Sequence, residues 1–407
     1  MVAPGAFVGR QEEIAAIERC LFQAKNENPQ HFLIEGERGI GKSSLMLLLE
    51  AYASGAFPSP RVGHLNFLTL SVDMGGVETQ LDIVKAIGRE LRSKLTKLDV
   101  VRDKAKGVLE FLLKWEVLGV RYHGVAHAPD PDDARDDLVN RLAEALAATA
   151  GLLDGAFIII DEADAPPESA DLGEFVKLFT ERLTRRGCNS VLLGLAGLPI
   201  AVQKMKTSHE SSPRIFEVLR LDPLEKHEVA QVIQRGLDFA NQRNAAKTEI
   251  TPAAMELLCG LSEGYPHFIQ QFSYCAFAYD SDDVIDVDDV VGGAYRENGA
   301  LLQLGRKYFN EMYFGKVGSD DYRRVLQTMS QHGDSWVSRK TLLDEAGVKA
   351  STVNNALNAL KSRNIITADE GRQGFYKLPT KSFAAWINAF QIVSEKSDGD
   401  PNLFDDP

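Results

Sequence analysis

Three glycines, a lysine and a hydroxyl stand at fixed spacing in Gly36-Glu37-Arg38-Gly39-Ile40-Gly41-Lys42-Ser43-Ser44. Glycine at 36, 39 and 41 permits the backbone conformations that turn successive N–H groups inward. A helix beginning there adds the partial positive charge of its N-terminus, so the backbone of residues 37 to 44 reads as a cradle for phosphate. The spacing fits G-x-x-x-x-G-K-[ST] without a gap, which gives Lys42 the β and γ phosphates and the Ser43 hydroxyl a place on Mg²⁺. A second stretch completes the chemistry. The apolar run Ala156-Phe157-Ile158-Ile159-Ile160 ends in Asp161-Glu162, two carboxylates in the order that hydrolysis needs. Asp161 holds Mg²⁺ through water, and Glu162, one residue on, orients and deprotonates the attacking water. Asp164 stays open between this set and the cap of the helix that follows.

The elements around these residues must bring them together. Phe32-Leu33-Ile34 is a buried strand entering the glycine loop, and Ser44 to Glu50 begins an apolar helix leaving it. Strands are expected at Leu65–Val72, Gly155–Ile160, Asn189–Gly197 and Ile215–Leu221, with helices at Thr79–Leu95, Asp132–Ala150 and about Glu168–Arg186. That alternation predicts an α/β fold around a parallel sheet, with the carboxylates at the C-terminal end of a central strand. Thr96 to about His127 is extra to such a core. Val108, Leu109, Phe111, Leu112 and Trp115 make it a helical insertion, and His123 and His127 have no cysteine near them to make a metal site.

Composition narrows the classes further. A chain of 407 residues with 44% hydrophobic and 25% charged residues is long enough for two or three domains and is not generally disordered. No apolar run approaches a membrane span and the first ten residues lack a signal-peptide pattern, so no membrane role is expected and the cytoplasm is the expected compartment. Cys20, Cys188, Cys259 and Cys275 are scattered, as reduced thiols would be. A net charge of −13 excludes a chain whose whole surface binds nucleic acid, while leaving room for a local basic face.

Placed before a phosphate loop, Phe7-Val8-Gly9-Arg10-Gln11-Glu12-Glu13-Ile14 resembles the adenine-side box of AAA+ ATPases of the replication-initiator (origin-recognition) and STAND-like branches. The resemblance covers about residues 5 to 390 in layout. It implies ATP as the nucleotide, base contacts from Val8 and Gly9, and a helical lid beginning after Leu221-Asp222-Pro223-Leu224. It also implies a homo-oligomer in which Arg214 reaches a neighbour's nucleotide, and a lid segment, Glu263-Gly264-Tyr265-Pro266-His267, whose Pro266 lies near the adenine. Two departures stand out. The strand ending Gly194-Leu195-Ala196 lacks the polar first sensor of the γ-phosphate, and the second sensor's arginine is absent, with His267 as its replacement.

Beyond an acidic connector at Asp280–Asp289 and helices near Val290–Gly299 and Leu301–Phe314, residues 319 to 388 read as a winged helix. Helices cover Tyr322–Gln331, Ser338–Ala346 and Ala350–Arg363, and Ile365–Ala368 with Phe375–Leu378 flank Glu370–Gly374 as the wing. Ser351, Asn354, Asn355, Asn358 and Lys361 fall on the exposed face of the third helix, with Lys349, Arg363, Arg372 and Lys377 placed to hold phosphates. From Trp336 to Lys381 there are eight basic and four acidic residues, a surplus of 4 against −13 for the chain, which favours double-stranded DNA as partner. The expected layout is a P-loop core at 1–222 with its insertion at about 96–135, a lid and connector at 223–317, a winged helix at 318–390 and an acidic disordered tail at 391–407. The function expected of this layout is an ATP-hydrolysing switch coupled to DNA, in replication, transposition or phage defence. The alternative is a signalling or scaffold ATPase whose winged helix binds a separately encoded protein effector.

Overall fold

The computed structural model describes residues 7–97, 130–333, 335–363, 365–369 and 371–396, with side chains up to 391. Most of the expected insertion, with His123 and His127, and most of the acidic tail lie outside these residues. The chain divides into two compact units, Met1–Asp222 and Pro223–Pro407.

In the first unit, α1 (Gln11–Lys25) precedes β1 (His31–Glu35), which leads through residues 36–41 into α2 (Lys42–Ala53). β2 (Phe67–Asp73), α3 (Gln80–Lys97), α4 (Pro131–Ala148), β3 (Gly155–Asp161), α5 (Leu172–Arg185), β4 (Val191–Gly197), α6 (Ile200–Ser208) and β5 (Phe216–Arg220) follow. The five strands form one parallel sheet in the order β2-β3-β4-β1-β5. β3 and β4 are buried along almost their whole length, which is why their sequences are continuous apolar runs. Phe175, Phe179, Leu142 and Ile87 bring the flanking helices onto the sheet. α4 starts where it does because the Asp130 carboxylate accepts the Asp132 N–H at 2.8 Å and Pro131 takes the first helical position.

The helix expected from Glu168 is broken. A 3₁₀ turn (Glu168–Ala170) ends at Asp171, whose φ of 45° is left-handed, and α5 begins only at Leu172. Asp164 does not cap it. Its Oδ1 accepts the Leu198 N–H at 2.8 Å, at the exit of β4.

His31 opens β1 with a buried imidazole whose Nδ1 accepts the Leu193 N–H at 3.1 Å. Burial pushes its pKa down from 6.5 to about 4. Between those values the unfolded chain binds the proton and the folded chain does not, so stability falls as pH drops through that window and levels off below it. The displacement is worth about 3 kcal/mol. In denaturant titrations at pH 7 and pH 4.5, His31→Gln is expected to lose less stability on acidification than the parent; equal losses would assign the titration to other groups.

The second unit has one continuous core running from Leu224 to Ile387. α7 (Lys226–Asn241), α8 (Pro252–Ser262), α9 (Pro266–Phe277), α10 (Val287–Tyr295) and α11 (Ala300–Leu304) come first. The segment read as an exposed connector carries β7 (Val284–Ile285), which pairs in parallel with β6 (Glu249–Ile250), and Asp286 caps α10 by accepting the Asp288 and Asp289 N–H groups. Two-residue strands leave no periodic trace in a sequence, which is why the pairing was not expected. The helix expected over Leu301–Phe314 turns π-helical at Gly305–Phe309 and Glu311–Gly315. Trp386 lies against it so closely that a Cβ on Gly305 would sit 2.0 Å from its Nε1.

The remaining elements are α12 (Asp320–Gln331), β8 (Val337–Ser338), α13 (Arg339–Glu345), α14 (Ala350–Ser362), β9 (Thr367–Ala368), β10 (Phe375–Lys377) and α15 (Lys381–Lys396). β10 pairs antiparallel with both β8 and β9. Phe309, Tyr313, Phe383 and Trp386 form one aromatic cluster across residue 317, so the expected lid and winged helix share a core.

Candidate functional site

The phosphate loop leaves β1 at Glu35 and enters α2 at Lys42. Gly39 and Gly41 have φ of 83° and 104°, conformations that a side chain would strain. Gly36 is constrained by space instead, since a Cβ there would lie 2.8 Å from Ile40 Cγ2. Lys42 Nζ donates to the loop's own carbonyls, Gly36 at 2.7 Å and Glu37 at 3.0 Å. Burial holds its pKa below the ordinary lysine value, opposed by the charges of Asp164, Asp161 and Glu37. Glu37 and Arg38 are exposed at the rim, Ile40 is buried beneath the loop, and Ser44 is half-buried in the first turn of α2.

The carboxylates arrive from β3, two strands away across β4. Ser43 Oγ donates to Asp161 Oδ2 at 2.6 Å, so motifs 118 residues apart in sequence meet. Asp161 Oδ1 accepts the Glu162 N–H at 2.9 Å. Glu162 has a φ of 55°, a left-handed backbone that turns its exposed side chain away from the line of the strand. Asp73, at the end of β2, lies in register beside Asp161 and accepts the Gly75 N–H at 2.7 Å. Sequence reading did not single out Asp73, because a lone carboxylate ending an edge strand carries no spacing signal.

The expected adenine-side box packs against the loop. Val8 is buried and Gly9 half-buried, and Arg10, with a φ of 61°, sends Nη2 to the Ile40 carbonyl at 3.4 Å while Nη1 pairs with Glu13 at 3.6 Å. Arg10 was also missed as a site residue, although it stood inside the box. A hard cation would fit the donor set at the meeting point, since the Ser43 hydroxyl and the Asp161 carboxylate are oxygen donors of the kind Mg²⁺ takes. Among the described residues no group of three or more His, Cys, Asp and Glu side chains forms a separate metal site.

The other expected residues come from other elements. Arg214 is exposed in the 3₁₀ turn Ser212–Ile215, two residues before Phe216, which pairs with His31 at the entry of β1. The phosphate loop leaves from the opposite end of that strand, so Arg214 stands roughly 15 Å or more from its own loop at about 3.3 Å per residue. Pro266 and His267 open α9 in the second unit, where the His267 ring packs on Tyr308 with centroids 5.3 Å apart. Burial and Lys307 push the His267 pKa down, and its Nε2 has no hydrogen-bond partner among the described residues.

The expected DNA face is partly engaged with the protein itself. Lys349, Ser351, Asn355, Asn358 and Lys361 are exposed along α14. Asn354 Oδ1 accepts from Arg339 Nε at 2.6 Å, and Arg363 Nη1 donates to the Lys316 and Val317 carbonyls at 2.7 and 3.1 Å. Arg372 pairs with Asp369 at 2.7 Å and lies 4.8 Å over the Phe375 ring, while Lys377 Nζ is 5.0 Å from the Trp336 ring.

Residues 6–192 match the AAA ATPase domain family. No curated protein matches the sequence. In structure, the chain resembles a Walker-type ATPase of Pyrococcus abyssi at 16% identity, with 94% of this chain and 96% of that one covered and a TM-score of 0.54. It also resembles the ORC2 protein of Aeropyrum pernix in ADPNP and ADP complexes, at 15% identity, with 96% and 95% covered and a TM-score of 0.54. At these identities the likeness establishes the fold.

Proposed function

We propose, from the premise that this chain is a P-loop ATPase of the AAA+ class with an origin-recognition-like fold, that it is a MgATP-driven switch whose C-terminal residues 318–390 form a winged helix that binds duplex DNA. The observation that carries the ATPase part is the 2.6 Å bond between Ser43 and Asp161, which brings the phosphate loop and the carboxylates to one point. Backbone N–H groups of residues 37–44 bind the phosphates and Lys42 neutralises charge on the transferring oxygens. Ser43 and Asp161 would hold Mg²⁺, which would supply charge neutralisation to the phosphates, and Glu162 takes the proton from water.

Arg214 acts in trans in this reading. Its place at the far end of β1 from its own loop favours a neighbour's nucleotide as its target, which makes the active form a homo-oligomer. Activity per subunit is expected to rise with protein concentration in the parent and not in Arg214→Ala. A flat response in the parent would remove Arg214 from the reaction.

For DNA, the support is the helix, strand, two-helix and hairpin order of residues 320–377, the polar exposed face of α14 and the local positive charge. Duplex binding is expected to weaken steeply with salt, with a shallower slope in Lys349→Ala and Lys361→Ala, whose side chains are exposed. The engagement of Asn354, Arg363, Arg372 and Lys377 by the protein's own groups favours a second reading, in which this face holds a protein effector. Absence of duplex binding at low salt would select it.

A further inference from the structure

Ser351, Asn354, Asn355 and Asn358 recur at the spacing of one helical face of α14, so a group bonded to one of them is brought to that face. Asn354 is half-buried there, and its Oδ1 accepts from Arg339 Nε at 2.6 Å. Arg339 is the first residue of α13. Its backbone N–H donates to the Gly374 carbonyl at 2.7 Å, and its Cβ lies 3.9 Å from where a Cβ on Gly374 would be. The arginine therefore stands where the start of α13, the turn before β10 and the polar face of α14 meet. It is exposed, and its Nη1 and Nη2 groups have no partner among the described residues. Held at Nε, the guanidinium keeps its outer fork free. The bond also decides what the pair can offer. Facing an N–H, the Asn354 amide presents its oxygen and keeps Nδ2 as its other group, while a guanidinium has no acceptor at all. An amide reads adenine by accepting from N6 and donating to N7, and the Asn354 oxygen is already engaged. What remains is a set of donors. In the major groove guanine sets two acceptors side by side, O6 and N7, whereas adenine and cytosine each place an amino group there.

We propose that Arg339 reads a guanine in the major groove through Nη1 and Nη2, and that Asn354 is the positioning residue that holds it rather than a reader of adenine. This rests on the duplex-DNA reading above and names a base that the face selects. The fork would also fit a phosphate, which carries no sequence, so the two contacts differ in what their loss does: a base contact costs affinity at one position of the site, a phosphate contact at every sequence alike.

Selection of the full chain on a randomised duplex pool at low salt, read by sequencing, tests this, with thermal unfolding of each variant as the check on folding. The parent is expected to enrich guanine at one position. Arg339→Ala is expected to lose that preference by about tenfold or more while the other positions keep theirs, and Asn354→Ala to lose part of it at the same position. Arg339→Lys, which keeps the charge but not the fork, is expected to recover overall affinity without the full preference. If Asn354→Ala does not fold, the two Arg339 variants decide. A parent without guanine preference, an unchanged preference in Arg339→Ala, a uniform weakening at all sequences with a shallower salt slope, or loss of an adenine preference in Asn354→Ala would each overturn the proposal. A parent that takes up no duplex at any salt would be distinguishable, because the DNA reading itself would then fall in favour of a protein partner, and this inference with it.

Discussion

Glu162→Gln is expected to keep ATP binding within a few-fold of the parent and to lose turnover by about 10²–10⁴, the range that a positioned general base supplies. The amide preserves size and leaves the Ser43–Asp161 contact untouched, so the metal and phosphate contacts survive. The proton acceptor does not. The left-handed backbone at Glu162 sets this side chain apart from Asp161, whose carboxylate is already bonded to Ser43 and to the Glu162 N–H. Single-turnover hydrolysis of bound ATP checks the prediction, and an unaltered rate would transfer the role to another group, with Asp73 the neighbouring carboxylate to examine.

Lys42→Ala is expected to weaken ATP binding by about a hundredfold, because it removes charge-assisted bonds worth about 1.5–3 kcal/mol each. ADP affinity should fall less than ATP affinity, since the γ-phosphate contact counts only for the triphosphate. The fold should survive. Of the two carbonyls that Lys42 satisfies, the bond to Glu37 is exposed and that to Gly36 only partly buried, so water replaces the ammonium at small cost. Calorimetric titration with both nucleotides, alongside thermal unfolding, separates lost binding from lost folding; parental affinity for ATP would show that the lysine stays on the loop carbonyls when nucleotide is present.

The parts of this site that were legible in the sequence are those encoded by adjacent residues. The phosphate loop needs glycines, lysine and serine within eight positions, and the carboxylates close an uninterrupted apolar strand, so both signals are local. Their meeting depends on strand order, which the alternation of strands and helices restricts without fixing. Contacts made by ordinary residues at a distance left no such trace. Arg10 reaches Ile40 through a left-handed backbone that no spacing marks, and Asp164, left open in the sequence between the carboxylate set and a helix cap, bonds instead to the Leu198 N–H beyond β4. In the second unit the departure from a regular helix at Gly305 answers to Trp386, far along the chain, and the pairing of β6 with β7 involves strands too short to show a period. The exposed face of α14 was legible from helical periodicity, but the engagement of Asn354 and Arg363 by neighbouring groups was not.

The central claim is that Ser43 and Asp161 together seat the metal of a bound triphosphate. Titrating the protein with a fluorescent ATP analogue, with and without Mg²⁺, tests it most directly when the parent is compared with Asp161→Asn. The account predicts that Mg²⁺ tightens binding in the parent by about tenfold or more and has little effect in the variant. A folded parent protein that takes up no nucleotide in magnesium buffer, or a variant with the same magnesium dependence as the parent, would contradict it.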